Sequence, residues 1–457
     1  MDSVLSLLSS IQGYVWGPVL IVLLLLTGIF LTLRNRLVQI RRLPHAVSLI
    51  SGRYDNPEDR GEITHFQALS AALSATIGTG NIAGVGVAIA SGGPGAVFWM
   101  WTTGALGMAI KYTSCMLGFH YRVFHPDGST SGGPMYYLEK GLGLKWLGVL
   151  FALFAMIASF GIGNMVQANS VAKPLEENLG VPTWLTGIVA ATLVALVIIG
   201  GIRRIGKVAS RIVPFMCIIY VVGAIIILIA NLEKVPVAFG LIFKYAFTPM
   251  AAGGGILGTA VREGVARGVF SNESGLGSAP IAHAAAKTKE PVREGLVAMV
   301  GPLVDTLIIC TMTALVIVST GAYHSINPAT GQAFTSSPLS AHAFNLGLPG
   351  VGKWIVTFGL VFFAFSTMIS WSYYGDRSTE YLLGTKFILP YRCVFVLLIV
   401  VGAISQIRFV WTISDIFNGM MAFPNLVGIL GLSGVVAKLS KDYFSRKHTP
   451  YGRVKLW

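Results

Sequence analysis

Gly78-Thr79-Gly80-Asn81, closing at Gly84, interrupts an otherwise apolar run from Ala72 to Ala90. Two glycines and an asparagine weaken a helix there by roughly 1 kcal/mol each. Inside a bilayer, broken backbone persists only where protein or a water-filled cavity satisfies its polar groups. The half-helix that resumes after the break offers free N–H groups, which suit a carboxylate. The carbonyls freed before it suit a cation. A second interruption runs from Phe270 to Gly277, where Ser271, Asn272, Glu273 and Ser274 lead into Gly275 and Gly277. Paired interruptions in corresponding positions of two halves point to a binding site at the membrane midplane. The competing reading is close helix packing through small residues, and Gly80 and Gly84 have the GxxxG spacing for it.

Charged residues within apolar runs are the other chemical candidates. Arg262, Glu263, Arg267 and Glu273 lie in or near the second interrupted segment. A charge at the bilayer centre costs roughly 2.5–3.5 kcal/mol there. Glu273 is either a gate or cation-attracting group, or a partner of Arg262 or Arg267 that fixes local structure; the pairing is the simpler expectation. Asp305 and Asp415 are either coupling-ion ligands or helix-to-helix hydrogen-bond acceptors. Lys111 snorkels or pairs. Enzyme chemistry finds no support: HExxH, GxSxG and Walker-type loops are absent, and the eight histidines are scattered. The missing phosphate loop also argues against an ATP-driven pump. Cys115, Cys217, Cys310 and Cys393 lie within or beside apolar runs without metal-ligand spacing, and read as buried small hydrophobes.

The elements that would carry these residues are membrane helices. Of 457 residues, 54% are hydrophobic and 11% charged, against about 25% charged in soluble domains. The net charge of +14 falls in clusters between apolar runs, which fits basic loops on one side of a membrane better than nucleic-acid binding. About eleven spans are expected: 15–33, 65–90, 95–121, 146–171, 184–202, 213–230, 253–286, 297–320, 354–381, 393–407 and 410–439. The first lacks the basic flank of a cleavable signal peptide. Residues 37–51 read as an amphipathic interfacial helix. Arg203, Arg204, Lys207 and Arg211 read as a basic cytoplasmic loop, 173–182 and the uncharged 321–350 as outer loops, and 231–249 as an outer segment with a short interfacial piece. Pro424 is expected to kink the last span. The basic clusters put the N-terminus outside and the C-terminus in the cytoplasm of a multi-pass cell-membrane protein.

Without the first span, ten divide into two blocks of five that enter from opposite sides, an inverted repeat. The expected organisation is 1–63 (first span and interfacial helix), 64–232 and 233–440 (the two repeats), and 441–457 (a basic tail).

Four stretches carry a family resemblance: Thr76-Ile-Gly-Thr-Gly-Asn-Ile-Ala-Gly84, Gly92-Gly-Pro-Gly-Ala-Val-Phe-Trp-Met-Trp101, Gly132-Gly-Pro-Met-Tyr-Tyr-Leu-Glu-Lys-Gly141 and Gly268-Val-Phe-Ser-Asn-Glu-Ser-Gly-Leu-Gly-Ser-Ala-Pro280. They resemble the alanine or glycine:cation symporters of the amino acid-polyamine-organocation superfamily, from Trp16 to Val436. The resemblance implies a leucine-transporter-like fold of 5+5 inverted helices with an extra N-terminal helix. It also implies sodium-driven import of alanine or glycine. On the resemblance, Thr79 and Gly80 bind the substrate carboxylate and Gln167 reaches the substrate from a facing helix. Phe270, Ser271 and Asn272 form the second unwound segment, whose carbonyls accept the ammonium, and Trp371 walls a small side chain. Sodium falls to the carbonyls of Ser74 and Ile77 with the hydroxyls of Ser366 and Thr367.

Each assignment has a plainer counterpart. Ser366 and Thr367 can hydrogen-bond their own helix, Trp371 can be packing or an interfacial aromatic, and Gln167 can join helices. The implied partners are a small neutral amino acid, Na+ and the lipid bilayer, with no cofactor beyond the coupling ion and no nucleic acid. Glutamine or serine as cargo and protons as coupling ion are the alternatives. An amino-acid channel or facilitator is the more distant one.

Overall fold

The computed structural model describes residues 2–247, 258–328, 331–405 and 408–451. The described chain is almost wholly helical, with one short hairpin pairing Val123–Phe124 with Thr130–Ser131. Seven of the described helices are long and apolar enough to cross a membrane, and an eighth crossing comes from a bent pair. Three more elements stand where spans are expected. Ala96–His120 is buried along most of its length, so its composition need not match lipid. Thr183–Ile198 extends roughly 24 Å, short of a hydrocarbon core of about 30 Å. The third is the second broken helix.

The first broken helix starts at a capping box: Thr64 accepts from the Gln67 amide, and the Gln67 side chain accepts from the Thr64 amide. It runs His65–Thr76, breaks, and resumes as a π turn, Gly80–Gly84, and an α-helix, Val85–Gly92, bent by 52°. The second is Thr259–Asn272 and Ala279–His283. The backbone between them is left-handed at Glu273 (φ 53°), Gly275 (φ 100°) and Gly277 (φ 89°). A Cβ at Gly277 would also lie 2.8 Å from Pro134 and 2.9 Å from Phe151, so glycine is required there for space and for φ.

Several expected loops are helical. Arg203, Arg204, Lys207 and Arg211 are not a loop: they occupy the exposed face of the opening turns of Gly201–Ala230, while Ile202, Ile205, Gly206 and Ala209 face inward. Charges that punctuate spans in sequence fit a helix when they recur on one face. The helix Val166–Leu179 runs through most of 173–182 and stops at Gly180, left-handed at φ 67°. The uncharged segment 321–350 contains the helix Ser336–Gly347. Residues 37–51, expected as one interfacial helix, form two helices, Val38–Arg41 and Leu43–Ile50. Within 231–249, where a short interfacial piece was expected, Lys234–Ala246 is a helix. Cys393 is exposed on the outside of the bundle rather than buried. The expected span ends at 253 and 407, and Arg453 and Lys455 of the tail, lie outside the described residues.

The start of the first broken helix and the end of the second are bound together. Ile63 forms a parallel bridge with Ala286. The Glu62 amide donates to Ala285 O at 2.7 Å, and the Lys287 amide to Ile63 O at 2.8 Å. Arg122 Nη1 donates to Ala284 O and Ala286 O at 2.9 and 2.7 Å. Beneath them the buried carboxylate of Glu294 (0% exposed) accepts from His65 through one oxygen and from His283 Nδ1, at 2.7 Å, through the other. Glu294→Leu leaves two buried imidazoles without their acceptor and should cost about 3 kcal/mol. The purified protein in detergent is then expected to melt several degrees lower; an unchanged melting temperature would show that Glu294 does not brace these ends.

Candidate functional site

The two breaks face each other, and their loose polar groups are largely taken up by the surrounding helices. At the first, Asn81 Oδ1 accepts from the Gly78 amide at 2.9 Å. Thr313 Oγ1 donates to Asn81 O at 2.9 Å, and Ser340 Oγ to Ile82 O at 2.8 Å. Ser340 belongs to Ser336–Gly347, so the segment expected as an outer loop is a structural partner of the π turn. At the second, Asn425 Nδ2 donates to Gly275 O at 2.7 Å while accepting from the Tyr137 hydroxyl. The amides of Thr79 and Gly80 open the resumed helix, where no earlier turn supplies acceptors.

Asp305 joins the breaks. It is fully buried (0% exposed) and accepts from Asn81 Nδ2 at 2.6 Å, Ser271 Oγ at 2.9 Å and Thr306 Oγ1 at 2.7 Å. Asn272 Nδ2 donates to Thr306 Oγ1 at 3.1 Å. Asp305 is therefore a helix-to-helix acceptor. This also corrects the expected outline of the second unwound segment. Phe270, Ser271 and Asn272 are the last turn of the regular helix, and the break begins at Glu273. The Ser271 and Asn272 side chains are committed to Asp305 and Thr306, while the carbonyls of this last turn lack intrahelical partners.

Between the breaks lies a small cavity of about 20 Å³, bordered by Thr79, Gly80, Gln167, Phe270, Glu273, Trp371 and Asn418. Gln167 Nε2 donates to Ile162 O at 3.0 Å and Thr79 Oγ1 at 3.3 Å, so Gln167 does reach the first break from its own helix. Gln167 Oε1 and Asn418 Oδ1 are buried without a hydrogen-bond partner, a condition that costs about 1–3 kcal/mol per group. Asn418 is absent from the expected site; its signal was an asparagine inside the apolar run 410–439. Phe270 stacks on Trp411, rings 6.2 Å apart at 16°. Trp371 Nε1 donates to Glu273 Oε1 at 3.0 Å. Glu273 does not pair with Arg262 or Arg267, whose carboxylate partner is Glu263, at 4.0 and 3.8 Å. Those arginines lie up to three helical turns before Glu273, which leaves the helix in the left-handed conformation and points elsewhere.

The expected sodium ligands also come together, with one exception. Ser74 O accepts from Thr367 Oγ1 at 3.2 Å and Ser366 Oγ at 3.4 Å. Both hydroxyls also donate to Phe363 O of their own helix at 2.9 Å, so the own-helix bond and the cross-helix bond coexist. Ser74 Oγ donates to Ser366 O at 2.6 Å. The oxygen cluster is thus Ser74 O, Phe363 O, Ser366 Oγ and Thr367 Oγ1. Phe363 was invisible in the sequence because it contributes only a carbonyl. Ile77 caps the half-helix, its amide on Leu73 O at 2.7 Å; no hydrogen bond joins it to this cluster. Asp415 accepts from Gln12 Nε2 at 2.5 Å, another helix-to-helix bond. Lys111 is buried (2% exposed) and so does not snorkel.

Two broken helices meeting at a buried cavity in a helical membrane bundle are the plan of secondary transporters with the leucine-transporter fold. The crystal structure of MhsT in complex with L-phenylalanine shares this fold: TM-score 0.53 at 14% identity, covering 84% of this chain and 99% of that one. The chain belongs to the sodium:alanine symporter family, whose sequence profile matches residues 1–454. It is 51% identical over 449 residues to the sodium/alanine symporter AgcS of Methanococcus maripaludis, covering 97% of this chain and 98% of that one. It is 39% identical over 437 residues to the probable sodium/glutamine symporter GlnT of Bacillus subtilis, covering 94% and 89%. The chain is thus a multi-pass membrane protein of a family of cation-coupled amino-acid symporters.

Proposed function

We propose that this protein imports alanine and glycine, driven by sodium, through alternating access to the cavity between the two breaks. The observation that carries the reading is a cavity between the breaks that holds the buried, unpartnered Gln167 Oε1 and Asn418 Oδ1, beside an open helix N-terminus on one side and a hydroxyl–carbonyl cluster on the other. A zwitterion's carboxylate fits the Thr79 and Gly80 amides. Its ammonium fits the unpartnered Gln167 Oε1 and Asn418 Oδ1, with the carbonyls of Phe270, Ser271 and Asn272 at the helix end behind them. Trp371 and Phe270 bound the side chain. Sodium, a hard cation, fits the carbonyls of Ser74 and Phe363 with the hydroxyls of Ser366 and Thr367. Those hydroxyls can rotate their protons away and present lone pairs.

This arrangement explains coupling. Ser74 and Thr79 flank one break. Sodium at the carbonyl end ties the first broken helix to Gly352–Leu383, and substrate at the amide end ties it to the second. Each ligand holds the break in the shape the other needs, which is a reciprocal coupling free energy. The repeats are assigned to 64–232 and 233–440, each opening with its broken helix, with the N-terminus outside and the 441–457 tail in the cytoplasm of the cell membrane. Glutamine is the second cargo to test, because the relative GlnT is named as a probable glutamine symporter.

Proteoliposomes given an inward sodium gradient should accumulate labelled L-alanine and be competed by glycine, and a potassium gradient should not substitute. Alanine-free uptake of glutamine under the same gradient would transfer the assignment to that cargo. Gly80→Leu should abolish uptake in protein that still inserts, because even a Cβ at Gly80 stands 3.0 Å from Ser271 Cα and 3.4 Å from the Phe270 ring. Normal uptake would remove Gly80 from the site. Ser366→Ala with Thr367→Ala should raise the sodium concentration for half-maximal uptake by about tenfold or more, since two ligating oxygens are lost at about 1 kcal/mol or more each. An unmoved sodium titration would shift the ion to the Asn81–Asp305 cluster.

A further inference from the structure

Trp371 is fixed in place from several sides, by Glu273, which borders the cavity beside it, and by residues behind the cavity wall. Its indole N–H donates to Glu273 Oε1 at 3.0 Å. The other carboxylate oxygen of Glu273 accepts from the Ser278 hydroxyl, so the acceptor is itself held at both oxygens. Glu273 stands at φ 53°, the first residue past Thr259–Asn272, on backbone anchored by the Asn425 bond to Gly275 O. Behind the indole lies Gly163, in the π turn Gly161–Met165 of another helix. A Cβ on Gly163 would lie 2.3 Å from Trp371 Cβ and 2.4 Å from its Cγ. Real atoms do not approach so closely, so the tryptophan occupies the volume a side chain at 163 would need. Tyr374 meets the ring edge-on, centroids 5.4 Å apart at 69°. Trp371 borders the cavity and Gly163 does not.

We propose that Gly163 and Glu273 are positioning residues that act through Trp371 to set the upper limit on the substrate's side chain. The inference rests on the amino-acid symport reading above and deepens it: the favoured class is the smallest neutral amino acids. A methyl at 163 collides with Trp371 Cβ and Cγ, so Trp371 must shift and the cavity wall it forms must shift with it. Alanine then loses the room for its methyl, and glycine, which has none, is little affected. Removing the Glu273 carboxylate instead leaves the buried indole N–H without its acceptor and frees the ring to swing aside, which admits longer side chains. Glutamine at 273 keeps an acceptor oxygen and discards the charge, so it separates hydrogen bonding from electrostatics.

The test compares the full-length chain with three variants in proteoliposomes under a sodium gradient, reading KM and maximal rate for labelled alanine and glycine and inhibition by L-glutamine. Gly163→Ala is expected to raise the alanine KM relative to the glycine KM by about tenfold, the usual value of one methyl in a pocket. Glu273→Ala is expected to let L-glutamine inhibit about tenfold more strongly, and Glu273→Gln to restore wild-type discrimination. If Gly163→Ala does not fold, the Glu273 pair decides. Unmoved selectivity in the folded variants, or a Glu273→Gln that behaves like Glu273→Ala, overturns the inference while leaving symport intact. A wild-type protein that takes up neither alanine nor glycine overturns the symport reading and this inference with it.

Discussion

A helix that breaks inside a bilayer must find partners for every amide and carbonyl it releases, because hydrocarbon offers none. That requirement organises this protein. Asn81, Thr313 and Ser340 serve the first break, and Asn425, held by Tyr137, serves the second. Asn81, Thr313, Ser340 and Asn425 are short polar side chains fully buried in the bundle. The amides at Thr79 and Gly80 open the resumed helix without an earlier turn to serve them, and Ser74 O at the end of the first half accepts from the Ser366 and Thr367 hydroxyls.

Two buried carboxylates act as hubs at different levels. Asp305 gathers donors from both broken helices beside the cavity, and Glu294 gathers imidazoles from the start of one and the end of the other. A buried carboxylate with all its donors in place specifies geometry, and one stripped of them is costly. The two breaks are thereby held in register at two points along their length. Glu273 is a third buried carboxylate and differs from these. It holds an indole and a hydroxyl close to its own strained turn, at the cavity wall.

Much of the architecture was legible in the residues. The broken helices were visible because glycine, serine and asparagine inside apolar runs contradict a lipid-facing helix. Thr79, Gly80, Gln167, Phe270 and Trp371, assigned to substrate on the family resemblance, border one cavity. Less legible were boundaries. The basic cluster 203–211 looked like a loop because linear charge density ignores helical phase, and its residues share one exposed face. Segment 321–350 looked like a loop because it lacks charge, yet its helix Ser336–Gly347 packs on the π turn.

What the sequence by itself determined follows from local composition: an all-helical membrane protein, two interrupted helices, and a family signature spread over most of the chain. Helix strength and hydropathy are properties of short windows, so they can be read without knowing what packs against them. Only the tertiary structure decided where the polar side chains point. It sent Ser271 and Asn272 to Asp305 and Thr306, separated Glu273 from its arginines and gave it to Trp371, and added Asn418 and the Phe363 carbonyl. Those outcomes depend on partners up to hundreds of residues away in the chain, and a backbone carbonyl has no letter in the sequence at all.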